Sequence, residues 1–267
     1  GHFKNARRKK RHTTKFFGVD MRYSYDNSLD GLFTVIFEQY NHIENSIIIV
    51  KTEQLDFLND DIYIETDFDK SSRVKKSIIN KFGFNFYRSI NYAFVSENPD
   101  KSTIIAKTIK NMYTYGYNFI NSSDKIAVAF NSLCKYSTRE LHAYKGLLRF
   151  KEIQDNFLFA EFEPNNDILE LLTYHFKNRL RNEKFVIYDK RRNKCAIYVD
   201  KYLAFYDVQE IFKEESDDEK MFEDCWIEFY NSVGIKERQN LKLMQNNMPK
   251  RYWKYLPEKN KIYDNEK

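Results

Sequence analysis

The stretch GLLRFKEIQDNFLFAEFEPNNDILELLTYHFKNRLRNEKFVIYDKRRNKCAIYVD (146–200) limits the fold more than any other part of the chain. Two strand-like runs meet about a QDN turn, a helical segment DILELLTYHFKNRL follows, and KFVIYD and KCAIYVD flank the basic turn KRRN (190–193). Short apolar runs bounded by turn residues read as strands, and apolar residues three and four apart read as a helix. The ββαββ order over 147–200 predicts an antiparallel sheet with a helix on one face, packed with several further helices. That is an α+β fold.

The rest of the chain supplies those helices. SDKIAVAFNSLCKYSTRELHAYKG (123–146) is the longest periodic segment, and Gly146 is its expected stop. A strand at Arg22–Tyr25 leads to a helix capped by Ser28 or Asp30, and strands are expected at 46–53 and 61–67. Helices are expected over 69–82 and 85–97, and from Asp100 to Tyr115. The C-terminal third opens on the acidic run EESDDEK (214–220), with one helix to Asn231 and another over 235–247. One α+β domain is expected over 21–256, with a sub-boundary near 118–124 and a polar tail at 257–267.

At 42% hydrophobic and 17% aromatic residues, the chain is too apolar to be disordered. No apolar run reaches membrane-span length and no segment resembles a signal peptide, so a cytoplasmic protein is expected. Cys134, Cys195 and Cys225 are isolated, without the spacing of a zinc or iron–sulfur site, and no metal or cofactor is expected. The formal charge of +5 is unevenly placed. Residues 1–20 hold seven Lys/Arg against Asp20 alone, while the remainder has 37 basic and 38 acidic residues. The basic segment reads as a leader outside the domain or as a phosphate-binding arm. Any nucleic-acid binding by the body must come from local patches.

Several patches qualify. RELHAYKGLLRF (139–150) places Arg139 and His142 near one helical face, with Lys145 and Arg149 at the exit. This suits phosphate contacts, with His142 as a possible acid or base; a polar helix face is the alternative. In LLTYHFKNRLR (171–181), His175 borders an apolar stripe and Arg179 lies one turn on. A histidine there serves function less often than structure. Lys190, Arg191 and Arg192 form an exposed-looking hairpin turn, where an arginine can donate two hydrogen bonds to one oxyanion. TDFDKSSRV (66–74) offers first-turn amides to an anion, although capping by Asp69 explains it as well.

The segment MPKRYWKYLPEK (248–259) combines Lys250, Arg251 and Lys254 with Tyr252, Trp253 and Tyr255. Rings of that size are costly to leave exposed, so they are expected to anchor the chain end and to display the three cations beside them. There is no P-loop, GxGxxG, HExxH or nucleophile-elbow motif. No catalytic machinery is legible; His142 and His175 are the candidates for acid–base chemistry, each needing a carboxylate such as Asp189 or Glu163 beside it.

YDNSLDGLFTVIFEQY, TDFDKSSRV, AFVSENPD, RELHAYKGLLRF, EPNNDILELLTYHFKNRL, FVIYDKRR and MPKRYWKYLPE, in that order, resemble an uncharacterised bacterial family of DNA-metabolism proteins. The resemblance runs from Met21 to Leu256. It implies association with a radical-SAM protein of DNA repair or modification, and in some relatives fusion to a uracil-DNA glycosylase-like domain. This chain resembles the stand-alone form. Three functions follow as expectations: an accessory module that binds DNA or the radical-SAM partner, a nucleobase- or nucleotide-processing enzyme, and a pure interaction partner of that protein. The resemblance implies no active site, so whether the chain is an enzyme stays open.

Overall fold

The computed structural model describes residues 21–51, 61–153 and 157–207, together with Tyr252, Tyr255 and Leu256. The chain divides into two compact units, residues 1–77 and 78–267. The predicted helices over 214–231 and 235–247 lie outside the described residues.

The first unit is built on β1 (Met21–Tyr25), α1 (Leu29–Glu38), β2 (Ser46–Val50) and β3 (Ile62–Tyr63). The three strands are parallel, with β1 between β2 and β3. Tyr23, Tyr25 and Ile48 from the strands pack with Leu32, Phe33, Val35 and Ile36 from α1 in the buried set. Ser28 caps α1 by accepting a 2.8 Å bond from the Gly31 amide. Asp26 accepts from the Ser28 amide and hydroxyl and, through its other oxygen, from Thr66. Burial opposes the Asp26 charge, but these hydrogen bonds outweigh it and lower its pKa.

That cluster closes over a glycine. A Cβ on Gly31 would collide with Asp26 Oδ1 and would lie 2.9 Å from both Thr66 Oγ1 and the Tyr25 ring. Gly31→Ala is expected to cost about 1–3 kcal/mol, because Tyr25 is fully buried and cannot yield. Denaturant titration checks it, and an unchanged midpoint would refute it.

The strand expected over 61–67 is only two residues long. From Ile64 onward the chain turns into α2 (Phe68–Phe82), which starts in the first unit and has its last turn in the second. Asp67, not Asp69, caps α2: its Oδ1 accepts from the amides of Asp69 and Lys70. Lys70 in turn pairs with Glu38 at 2.7 Å and Asp67 at 3.1 Å. The amides of Asp69, Lys70 and Ser71 are therefore satisfied internally by Asp67.

The second unit continues with α3 (Phe84–Phe94), α4 (Lys101–Tyr115) and α5 (Lys125–Leu147). Ile90 and Ala93, Ile105 and Ile109, and Phe130 and Leu133, one pair from each helix, are buried. A five-stranded sheet follows in the order β4 (Lys151–Ile153), β5 (Phe157–Phe162), β6 (Lys184–Asp189), β7 (Lys194–Val199) and β8 (Tyr202–Asp207). The crossover from β5 to β6 is α6 (Leu169–Arg179). Ala160, Phe162, Phe185, Ile187, Ala196 and Tyr198 line one sheet face and share a core with Leu141, Tyr144 and Leu148 of the α5 region. Leu169, Leu172 and Phe176 of α6 complete that core.

The α+β class and the ββαββ order are as read from the sequence. The sheet is not antiparallel throughout: β5 and β6 run parallel, Phe157 opposite Lys184 through Phe162 opposite Asp189. A helix inserted between two adjacent strands returns the chain to its starting end, which makes the pair parallel. The other three pairings are antiparallel. Gly146 does not stop α5, which runs on to Leu147. Strand β8 has no counterpart in the sequence reading. It follows β7 through Asp200 and Lys201, both at positive φ, as tight hairpin turns require.

Candidate nucleic-acid interface

The basic turn between β6 and β7 is the most conspicuous charge cluster in the sequence, and most of its charge is already paired. Asp189, the last residue of β6, is fully buried. Its Oδ1 accepts from the Arg191 and Arg192 amides at 3.0 and 3.2 Å, and its Oδ2 pairs with the Arg192 guanidinium at 3.0 Å. Arg192 also donates to the carbonyls of Pro164 and Asn165 and pairs with Glu97. Arg191 reaches Glu97 at 3.4 Å and the Asn165 side chain at 3.2 Å, and Lys190 lies 4.0 Å from Glu161.

Burial pushes the Asp189 carboxyl up, while Arg192 and the two turn amides pull it back. Burial also works against the Arg192 charge, but Asp189 and Glu97 outweigh it and raise its pKa. Lys101 stands nearby; burial pushes its pKa down, opposed by Asp167 and Glu97. The arrangement holds Asp189 as an ion-pair partner, and among the described residues its hydrogen-bond and ion-pair partners are Arg191 and Arg192, not either candidate histidine.

The same turn is tied to α5. Glu140 is buried and accepts from the amides of Asn165 and Asn166 and from the Asn166 side chain, all within 2.7–2.9 Å. Asn166 then accepts from the Glu97 amide, and the Asp167 amide donates to Val95. Four segments meet here: the α3–α4 loop, α5, the β5–α6 turn and the β6–β7 turn. The sequence reading missed Glu97, Glu140 and the Asn165–Asn166 pair. One signal was present, since Glu140 interrupts the stripe of Leu133, Leu141 and Tyr144 at helical spacing, and a buried carboxylate needs donors.

A second constellation forms where α5 meets α6. Leu141 and Tyr144 of α5 pack in one core with Leu172 and Phe176 of α6. The residues next to these in sequence, Lys145 and His175, therefore lie at the rim of the seam. The His175 ring meets Phe176 edge-on with centroids 5.1 Å apart. Burial lowers the His175 pKa from its ordinary 6.5, and the charges of Lys145 and Arg179 lower it further. Lys145 of α5 thus shares one electrostatic environment with His175 and Arg179 of α6, about 30 residues away in sequence. Among the described residues, neither Lys145 nor Arg179 has an ion-pair partner.

The remaining candidates are placed as follows. Arg139 and His142 are exposed on α5, and Arg149 donates at 2.8 Å to the Gly146 carbonyl at the end of that helix. Lys250, Arg251 and Lys254 lie outside the described residues, as does Trp253. Tyr252 is buried, with its ring edge-on to Tyr144 at 4.8 Å. Burial pushes the Tyr255 hydroxyl pKa up, and the neighbouring Glu163 adds to this. Among the described residues no group of three His, Cys, Asp or Glu is placed to hold a metal ion. No described helix is long and apolar enough to cross a membrane.

Among curated proteins none matches the chain. One family does, across residues 99–258, a span that starts just before α4, takes in α5, α6 and the five-stranded sheet, and closes beyond the anchoring Tyr252. With more than half of its length matched, the chain belongs to the DUF4130 family, a domain of unknown function.

Proposed function

We propose that the chain is a cytoplasmic accessory protein of DNA metabolism that binds nucleic acid at the α5–α6 rim. The reading rests on one observation: Lys145, His175 and Arg179 converge there without a described carboxylate to neutralise them. Unneutralised cations close together are an electrostatic footprint for phosphates, because each contact releases condensed counterions. The Lys190–Arg192 turn fits this role less well, its charge being matched by Glu97, Glu161, Asp167 and Asp189. The resemblance to DNA-metabolism proteins supports the same reading, and it makes a radical-SAM repair protein the partner to which bound DNA is handed.

Fluorescence anisotropy with labelled DNA over a range of salt concentrations tests it on the full chain. Lys145→Ala combined with Arg179→Ala is expected to lower the salt slope by about two and affinity roughly a hundredfold at 0.1 M salt. Binding is also pH-linked. The His175 pKa is depressed in the free protein, and a phosphate beside it would raise it. Affinity therefore rises as pH falls through the His175 pKa of the bound state and levels off once His175 is protonated in the free protein as well. Binding unaffected by the double substitution, but abolished when Arg7–Arg11 are neutralised, would place the activity in the N-terminal segment and overturn the proposal.

A further inference from the structure

The cationic rim continues along α5. Lys135, Arg139 and His142 recur at i, i+4 and i+7, so they share one face, and Lys145 follows one turn beyond His142. Lys135, Arg139 and His142 are all exposed. None of these three side chains has a hydrogen-bond or ion-pair partner among the described residues. The only carboxylate on this helix of 23 residues is Glu140, which points inward and is taken up by the Asn165–Asn166 turn. Lys135 to Lys145 spans about 15 Å along a rigid axis. The track then passes to His175 and Arg179 of α6.

Aromatic rings accompany the track. Tyr136 is 66% exposed and sits one turn before Arg139, and Tyr174, 47% exposed, immediately precedes His175. A single exposed ring is ordinary on a protein surface, so what marks Tyr136 and Tyr174 is their position beside the cations. Cations alone suit any polyanion. Cations with exposed rings alongside suit a strand whose bases are free to leave the backbone and stack, because every base has a π-face. A duplex keeps its bases stacked inside and gives those rings nothing to cover.

We infer that the exposed face of α5, continued by the α6 rim, is a track for single-stranded nucleic acid, with phosphates on Lys135, Arg139, Lys145 and Arg179 and bases stacked on Tyr136 and Tyr174. The inference rests on the nucleic-acid reading of the α5–α6 rim and gives it a strand type. His142 lies between Arg139 and Lys145 on the track.

Three labelled probes of about 20 nucleotides, longer than the track, separate the possibilities: oligothymidylate, its duplex with oligoadenylate, and an abasic strand with the same phosphates. Oligothymidylate is expected to bind tightest. Tyr136→Ala and Tyr174→Ala are each expected to weaken it roughly tenfold while leaving the abasic strand unchanged. Lys135→Ala with Arg139→Ala is expected to lower the salt slope by about two on every probe. All four side chains are exposed, so melting temperatures should match the parent. Duplex bound as tightly as the single strand, or tyrosine variants that lose equally on the abasic strand, would overturn the inference and leave the rim reading intact. Sensitivity to Lys145 and Arg179 without sensitivity to Lys135 and Arg139 would do the same. No binding of any probe would remove both.

Discussion

Arg192→Met is expected to destabilise the second unit by about 3–5 kcal/mol, although it adds an apolar side chain at a turn. The Arg192 side chain is 13% exposed and Asp189 is fully buried, so the substitution leaves a buried carboxylate with only two turn amides for company. It also strips donors from the Pro164 and Asn165 carbonyls and from Glu97. Arg191→Ala is the internal control. Arg191 and Glu97 are each nearly half exposed, and solvent-screened pairs of that kind contribute at most about 1 kcal/mol. Asp189→Leu added to Arg192→Met should recover part of the loss, since it removes the stranded charge. Urea titrations of the four proteins decide the matter. Equal midpoints for Arg191→Ala and Arg192→Met would mean that the network does not hold the turn in place.

The same network shows where sequence reading stops. The strand runs and turn at 184–199 were legible because a period of two and a polar turn are local signals, and both strands lie where expected. Nothing local indicates that Arg192 meets Glu97, 95 positions earlier, or that Asn165 and Asn166 meet Glu140. Three cations in a turn look like a phosphate site until the carboxylates that fold onto them are known. Lys145, His175 and Arg179 present the opposite case. His175 and Arg179 are one turn apart on α6, but only the packing of α5 on α6 through Tyr144 and Phe176 brings the charge of Lys145 to them. Strand β8 was missed because YLAFYD has a weak in–out pattern, matching its largely exposed setting at the sheet edge.

Tyr252→Ala is expected to cost about 3–5 kcal/mol, the range for removing a buried aromatic ring. Tyr252 belongs to a basic and aromatic segment that invites reading as a clamp on nucleic acid, yet it is 2% exposed. Its ring lies perpendicular to Tyr144, which in turn meets Phe162 edge-on at 4.9 Å, so it extends the aromatic core between α5 and the sheet. Leu256, four residues on, is fully buried as well. Two buried side chains on that spacing fasten the segment to the second unit, and their loss should release it. Tyr252→Phe keeps the ring and should retain most of the stability. The distinction between anchor and clamp is measurable: an anchor lowers the melting temperature in the Ala variant and is rescued by Phe. Weakened DNA binding with an unchanged melting temperature would instead make Tyr252 a contact. Because Tyr144 lies next to Lys145 in α5, releasing the anchor should also loosen the rim that carries Lys145. Affinity is therefore expected to fall together with stability, and not before it.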